Sequence, residues 1–301
     1  MLVDRPSADA WISAHVTPTG PIELAHGRPW STVLRVPLAD GTAWFKACGS
    51  VQAFEPRLTA VLHARWPELM PEVLGFDERR GWLLLADAGT RIGDLGNLPD
   101  FWVDLLPRYA ELHRGEAARA DDHLTRGVPD LRVAVLAERY DELLAGDLPV
   151  SPAERRALLE FAPTFGRLCT DLASHGPSDS VQHDDLHMHN VYRNGDRMRI
   201  LDWGDSSISH PFASLVATFR FLEERNGLAA DDPSIIRVRD AYLEGWGSGL
   251  TGVFDLAMRV GGFAHAIAEL RQRRVLSGRP REEFDVDLQV RLRRALRRVD
   301  G

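Results

Sequence analysis

Gly89 divides this sequence into two unlike stretches. Before it, short β-prone runs alternate with turn residues; after it, helical periodicity repeats over long segments. The runs at residues 31–36 (STVLRV) and 42–47 (TAWFKA) flank a turn containing Asp40-Gly41, a hairpin signature. A third apolar run, residues 81–86 (GWLLLA), opens on a glycine, and the intervening residues 57–66 show helical spacing that stops before Pro67. Beyond Gly89 the spacing predicts helices near 100–114, 130–145, 152–175, 211–224, 235–246, 256–275 and 284–299. Residues 190–203 interrupt them: NVYR and RMRILDW flank Asn194-Gly195-Asp196, again a hairpin pattern. This order predicts an α+β chain with a small β-rich N-lobe at 1–89, a linker near 86–91 and a larger helical C-lobe at 90–301. A cleft between two lobes is the default site for a nucleotide-sized ligand.

With 301 residues, 44% of them hydrophobic, the chain can build two cores. A formal net charge of −8 argues against a nucleic-acid partner, which would call for a basic footprint. It suits a cationic small molecule, or simply solubility. Cys48 and Cys169 are far apart and offer neither a disulfide framework nor zinc spacing. The opening MLVDRPSADAW has no apolar run, so no signal peptide is expected, and no stretch is apolar for long enough to cross a membrane. A cytoplasmic protein with no membrane partner, monomeric or weakly homodimeric, is the expectation. Among 36 Lys+Arg residues, Lys46 is the one lysine. Positions indifferent to the choice have become Arg, so Lys46 marks a site that needs a compact ammonium.

The block at residues 183–203, HDDLHMHNVYRNGDRMRILDW, carries the chemistry. Asn190 follows Asp185 by five residues, and Asp202 follows Asn190 by twelve, at the end of the hairpin's second strand. Phosphoryl transfer needs charge neutralisation around the transferred group and a residue that orients the attacking hydroxyl. An Asp and an Asn on one loop supply both, and a second Asp completes oxygen-only coordination suited to Mg²⁺. Lys46, on a strand in the other lobe, suits phosphate oxygens as a point charge. His183, His187 and His189 offer an alternative zinc reading, but no supporting Cys or His stands at a suitable spacing.

HDDLHMHN resembles the H-x-D-x-x-x-x-N catalytic loop of the aminoglycoside phosphotransferase family, relatives of the protein kinases. LDWGD resembles that family's I-D-W segment, and WFKA its lysine-bearing strand. The resemblance runs in order over most of the chain. It implies a bilobal, protein-kinase-like α+β fold with a nucleotide-binding N-lobe. It further implies an ATP- or GTP-dependent O-phosphotransferase acting on a small-molecule hydroxyl, with Mg²⁺ and an aminoglycoside-like or other cationic acceptor. By the same resemblance Asp185 is the catalytic base or hydroxyl orienter, Asn190 and Asp202 hold Mg²⁺, and Lys46 binds the α/β-phosphates. Glu55 is the candidate ion-pair partner of Lys46, His183 braces the loop, and residues 85–88, with Leu85 and Asp87, border the adenine.

The chain departs from the family pattern in places. The phosphate-covering turn at 27–32 (GRPWST) has one glycine, leaving Ser31 and Thr32 as candidate donors. Glu55 precedes Pro56, so capping a helix competes with pairing to Lys46. Asp184 stands where the family commonly has Gly. It is open to contacting a cationic substrate, to raising the pKa of Asp185 by like-charge repulsion, or to pointing at solvent. The family's later G-D-P…D-L segment reads Ser209-His210-Pro211…Ser214-Leu215. A nucleotide-binding pseudokinase and a protein kinase are the rival readings. Every catalytic residue type is present, against the first. Only eight residues separate Asp202 from Pro211, too few for a protein kinase's activation segment.

Overall fold

The computed structural model describes residues 3–300. Met1, Leu2 and Gly301, at the outer ends of the expected lobes and of the segment read as lacking a signal peptide, lie outside the described residues. In chain order the elements are α1 (Arg5–His15), β1 (Glu23–Arg28), β2 (Ser31–Leu38), β3 (Gly41–Cys48), α2 (Glu55–Arg65), β4 (Val73–Asp77), β5 (Trp82–Ala86), β6 (Thr90–Arg91), α3 (Pro99–Ala117), α4 (Ala120–Thr125), α5 (Val133–Ala145) and α6 (Pro152–Ala173). They continue with β7 (Ser180–Gln182), β8 (Val191–Asn194), β9 (Arg197–Ile200), β10 (Ser207–Ser209), α7 (Val216–Asn226), α8 (Pro233–Glu244), α9 (Thr251–Arg273) and α10 (Gly278–Asp300). The chain forms two compact units. One takes the chain up to Gly96 together with Met188–Gly204; the other takes Asn97–His187 and the chain from Asp205 onward.

The first unit is built on an antiparallel sheet in the order β1-β2-β3-β5-β4. Period-two alternation sorts its residues. Leu34 and Val36 of β2, Ala43, Phe45 and Ala47 of β3, and Leu84 of β5 turn to one face and form a core with Ala8 and Ile12 of α1. Trp11, Phe45 and Trp82 meet edge to face there, with centroids 5.5–5.8 Å apart. Each large side chain so buried contributes about 2 kcal/mol. The alternate residues of β3, Trp44 and Lys46, belong to the opposite face by the same period.

A smaller sheet, β6-β8-β9, completes this unit, and the expected hairpin turns at Gly195 with φ +60°. The segment read as a linker is more ordered than expected: β5 runs through Ala86, and Thr90 and Arg91 pair with Arg193 and Tyr192. Three elements had no clear sequence signal. β1 (ELAHGR) is exposed throughout and so lacks apolar alternation; β4 is interrupted by Gly75; α1 is marked mainly by its cap, where the Asp4 carboxylate accepts from Ser7 N–H at 3.2 Å.

In the second unit α3 packs along α8, α5 against α6, and α9 against α10. Tyr140, Phe165 and Phe263 join α5, α6 and α9, with centroids 4.6–5.5 Å apart. A capping box at Ser151 and Glu154 starts α6 where the spacing predicted. α10 begins earlier than expected, at Gly278, because Pro280 is tolerated in a first turn. The helix expected at 211–224 starts as a 3₁₀ turn, Pro211–Leu215, whose first residues are capped by His210 Nδ1 accepting from Phe212 N–H at 3.2 Å. His210 thus takes up the capping task open to an acid at that position. Among the described residues no helix is long and apolar enough to cross a membrane.

Gly89 clamps the first unit. Its φ is +100°, and a Cβ there would sit 2.3 Å from the Arg193 carbonyl oxygen. We expect Gly89→Ala to destabilise the protein by about 2 kcal/mol or more, read as a lower midpoint in thermal melting.

Candidate functional site

The first unit gathers two of the expected site residues, Glu55 and Asp202, around the ammonium of a third, Lys46. Lys46 lies on β3, between β2 and β5, and its side chain is 12% exposed. Its Nζ is 2.6 Å from Glu55 Oε2 and 2.5 Å from Asp202 Oδ1. Glu55 is the first residue of α2, 1% exposed, and makes no side-chain cap bond to the helix. The sequence left pairing and capping open; Glu55 pairs. Burial by itself pulls Lys46 down, but the Asp202 and Glu55 carboxylates outweigh it and hold the ammonium well above its usual pKa. Burial pushes Glu55 up, Lys46 pulls it back, and the net shift is upward.

Two further residues shape this pocket without having been expected. Cys48 Sγ donates to Glu55 Oε2 at 3.3 Å. It stands two residues after Lys46, so strand alternation puts both on one face, which is the signal by which the sequence could have marked it. Gly204 supplies space: a Cβ there would lie 2.7 Å from Glu55 Oε2 and 2.6 Å from the Gln52 amide.

Asp202 follows β9 with φ +65°, a left-handed conformation that Asp tolerates better than most residues, and its side chain is 51% exposed. Asn190, mostly buried, accepts from Leu201 N–H at 2.8 Å through its carbonyl, which places it beside the strand end that carries Asp202. The side-chain amide oxygen of Asn190 and the carboxylate of Asp202 are oxygen donors of the type Mg²⁺ takes. Among the described residues no three His, Cys, Asp or Glu side chains are grouped to hold a metal, so the zinc reading finds no support. An ion at Asn190 and Asp202 would draw its remaining ligands from phosphate and water. His26 of β1 is solvent-exposed but close to the site: partial desolvation, helped by the Arg28 and Lys46 charges, outweighs Asp202 and lowers its pKa.

The other expected residues stand elsewhere on the same sheet. Ser31 and Thr32 open β2 after the Pro29-Trp30 turn, paired to Cys48 and Ala47, and both are buried. Leu85 pairs with Trp44 and Val73 inside the sheet. The Asp87 carboxylate accepts from Trp44 Nε1–H at 3.0 Å and from Gly89 N–H at 2.7 Å, while Asp87 N–H donates to Thr42 O at 3.2 Å.

Asp185 belongs to the second unit, so the sequence block is shared between the units at the 187–188 peptide bond. His187 Nε2 lies 3.1 Å from Asp185 Oδ2. Asp185 N–H donates to His183 Nδ1 at 3.3 Å, and His183 N–H donates to the Tyr109 hydroxyl at 3.1 Å. His183 therefore braces the loop from within. Thr218 of α7 adds a bond to the Leu186 carbonyl at 2.7 Å, and Phe221 packs on the His187 ring at 4.4 Å. Burial alone would raise the pKa of Asp185. The His187 hydrogen bond and the His187, His265 and His183 charges prevail and hold it below the usual carboxylate range. His187 entered the sequence reading only as a zinc candidate; its pairing with the residue two before it was not foreseen.

Asp184 has φ +60°, which explains why glycine suits this position. Its carboxylate is buried and accepts from the Ser207 hydroxyl. Burial raises its pKa to about 6, although Ser207, His265 and Arg271 oppose the shift. It does not point to solvent, and Asp185 beside it is lowered, not raised. Asp205 accepts from the Gln272 amide, and its carbonyl from Arg271 Nη2 at 3.2 Å, a structural tie to α9.

Three comparisons bear on this arrangement. Many solved structures share the fold. A choline/ethanolamine kinase family protein from Mesorhizobium loti is 17% identical with a TM-score of 0.64, covering 98% of this chain and 95% of its own. Choline kinase LicA from Streptococcus pneumoniae is 13% identical with a TM-score of 0.65, covering 97% and 98%. The GDP complex of aminoglycoside 2'-phosphotransferase-IIIa is 14% identical with a TM-score of 0.66, covering 98% and 99%. The fold is therefore α+β of the protein-kinase-like class. No curated protein matches the sequence. The model of the phosphotransferase enzyme family matches residues 52–257, more than half of the sequence, and includes Glu55, the catalytic-loop block and Asp202. The chain belongs to the phosphotransferase enzyme family, among small-molecule kinases that act on a hydroxyl group.

Proposed function

We propose that the protein transfers the γ-phosphoryl group of ATP, or of GTP, to a hydroxyl of a small molecule. The observation that carries this reading is the pairing of Lys46 with both Glu55 and Asp202, at 2.6 and 2.5 Å. A buried ammonium between two carboxylates is costly to assemble unless its charge is used. In the proposed site Lys46 meets the α/β-phosphates as a point charge, and Glu55 fixes the ammonium's direction. Asn190 and Asp202 would hold Mg²⁺, which when bound supplies charge neutralisation on the phosphate oxygens. The GDP held by the aminoglycoside 2'-phosphotransferase neighbour supports a nucleotide as donor.

Asp185 acts on the acceptor. It accepts the hydroxyl proton as the new O–P bond forms, while the bond from the γ-phosphorus to the bridging oxygen breaks and the nucleoside diphosphate leaves. His187 keeps Asp185 ionised, ready to orient the hydroxyl and take its proton. The short stretch after Asp202 supports a small acceptor over a protein one. It contains only the Trp203–Asp205 turn and β10 before the next helical turn at Pro211.

Three measurements test this. Asp185→Asn is expected to lower nucleotide turnover about a thousandfold with a native melting curve; normal turnover would overturn the assignment. Lys46→Arg keeps the charge but replaces an ammonium with a planar fork, and should impair both KM for ATP and kcat; unchanged values would refute the role given to Lys46. His187→Ala removes an influence that lowers the pKa of Asp185, so that pKa rises. The acid limb of kcat/KM against pH should then move to higher pH, and a limb that stays in place would separate His187 from Asp185.

A further inference from the structure

β1 is an outer strand of the five-stranded sheet, and its register changes partway along. Leu24 pairs with Leu34, which belongs to the core face shared with α1. Period two would carry His26 to that same face. A bulge between Leu24 and His26 inserts one residue, so His26 pairs instead with Val33, and Val33 pairs with Lys46. His26 and, two residues on, Arg28 therefore share the face of Lys46, away from the core. In the next row of that face Arg28 pairs with Ser31, and Ser31 with Cys48.

Both side chains are exposed, and neither has a hydrogen-bond or ion-pair partner among the described residues. They nevertheless stand close to the site, since the charges of Asp202, Arg28 and Lys46 all act on His26. Lys46 already shares its charge with two carboxylates, at 2.6 and 2.5 Å. A Mg²⁺-bound triphosphate remains anionic and calls for further cations. The turn after Arg28 is a poor backbone cradle for it. The Arg28–Ser31 pair closes a two-residue loop, Pro29-Trp30, and proline has no N–H to give. The Trp30 carbonyl accepts from Gly49 N–H at 2.6 Å, which ties the turn to the end of β3. Charges on an outer strand also deter pairing with another chain. Edge protection, however, does not require both cations to share the face of Lys46.

We propose that His26 and Arg28 bind the phosphates of the nucleotide from the β1 side of the site, beside Lys46. The guanidinium offers a planar fork that matches two phosphate oxygens, and the imidazole offers an N–H for another. Side chains of β1 thus do what the backbone N–H groups of a glycine-rich turn do elsewhere. The bulge is the device that aims them, by moving both cations from the core face to the site face. The assignment rests on the phosphotransfer reading and deepens its donor site.

Calorimetric titration of the full chain in Mg²⁺ tests it, with ATP and GTP as probes and adenosine and guanosine as their phosphate-free counterparts. Arg28→Ala and His26→Ala should each weaken binding of the preferred triphosphate about tenfold, while its nucleoside binds as before. Arg28→Lys should recover part of the loss, because a point charge remains. Both residues are exposed, so their replacement leaves the core intact. A merely structural defect would weaken nucleoside and triphosphate alike. The assignment is overturned if triphosphate binding is unchanged in either alanine variant, or if the nucleoside is lost in step with the triphosphate. Turnover by the unsubstituted chain and by Asp185→Asn is measured alongside. If the unsubstituted chain binds neither triphosphate, the phosphotransfer reading fails and this assignment with it. If it binds one and Asp185→Asn abolishes turnover, unchanged affinity in either alanine variant removes the role of β1 alone.

Discussion

The Lys46 ammonium organises the first unit. Taking one charge out of water costs several kcal/mol, and it is tolerated only with close counter-charges in good geometry. Glu55 and Asp202 provide them, from a helix start and from a strand end that lie 147 residues apart in sequence. The surrounding architecture serves this arrangement. β3 is flanked by β2 and β5, so the backbone under Lys46 is hydrogen-bonded on both sides. Gly204 leaves space for the Glu55 carboxylate, and the Cys48 thiol donates to the same oxygen, Oε2. Asp202 accepts a left-handed backbone at the end of its strand, a small local cost of the kind found where a side chain must be aimed.

In the second unit the constraint is on a loop. His183 takes the Asp185 amide on its ring and gives its own amide to Tyr109, whose hydroxyl contacts Ser214 at 2.6 Å. The loop is thereby tied to α3 and to the 3₁₀ turn before α7. Thr218 fixes it again at Leu186. A side chain intended to orient a hydroxyl needs supports of this kind, because a loop without them would sample many positions.

Much of this could be read in the sequence, and what could not has physical reasons. Lys46 was visible because arginine occupies every other basic position. Asp185, Asn190 and Asp202 were visible because their spacing is preserved within a recognisable block. Glu55 was ambiguous: Pro56 makes its position a helix start, and sequence alone does not say whether a residue there is exposed, as a cap usually is, or buried beside an ammonium. β1 and β4 were missed because strands with little burial show no alternation. The pairing of His187 with Asp185 was missed because spacing alone does not say which neighbour a loop histidine turns to.

Asp184 and Asp185 show how far local surroundings separate two identical neighbours. Asp185 is held low by three histidines, so it is ionised through the neutral range and contributes stability that is lost only in acid, as pH falls toward its depressed folded value. Asp184 is raised from 3.8 to about 6 by burial, so the folded chain binds its proton more readily than the unfolded chain does. The stability this gives is present in acid and declines as pH rises from about 4 through 6. Two like charges side by side in a buried loop repel, and below about pH 6 a proton on Asp184 relieves that repulsion while Asp185 stays ionised. The left-handed residue, standing where the family commonly has glycine, is thus the one of the two that takes up a proton first as pH falls. In the mechanism proposed above it is Asp185, the carboxylate held low, that stands ionised toward the acceptor hydroxyl.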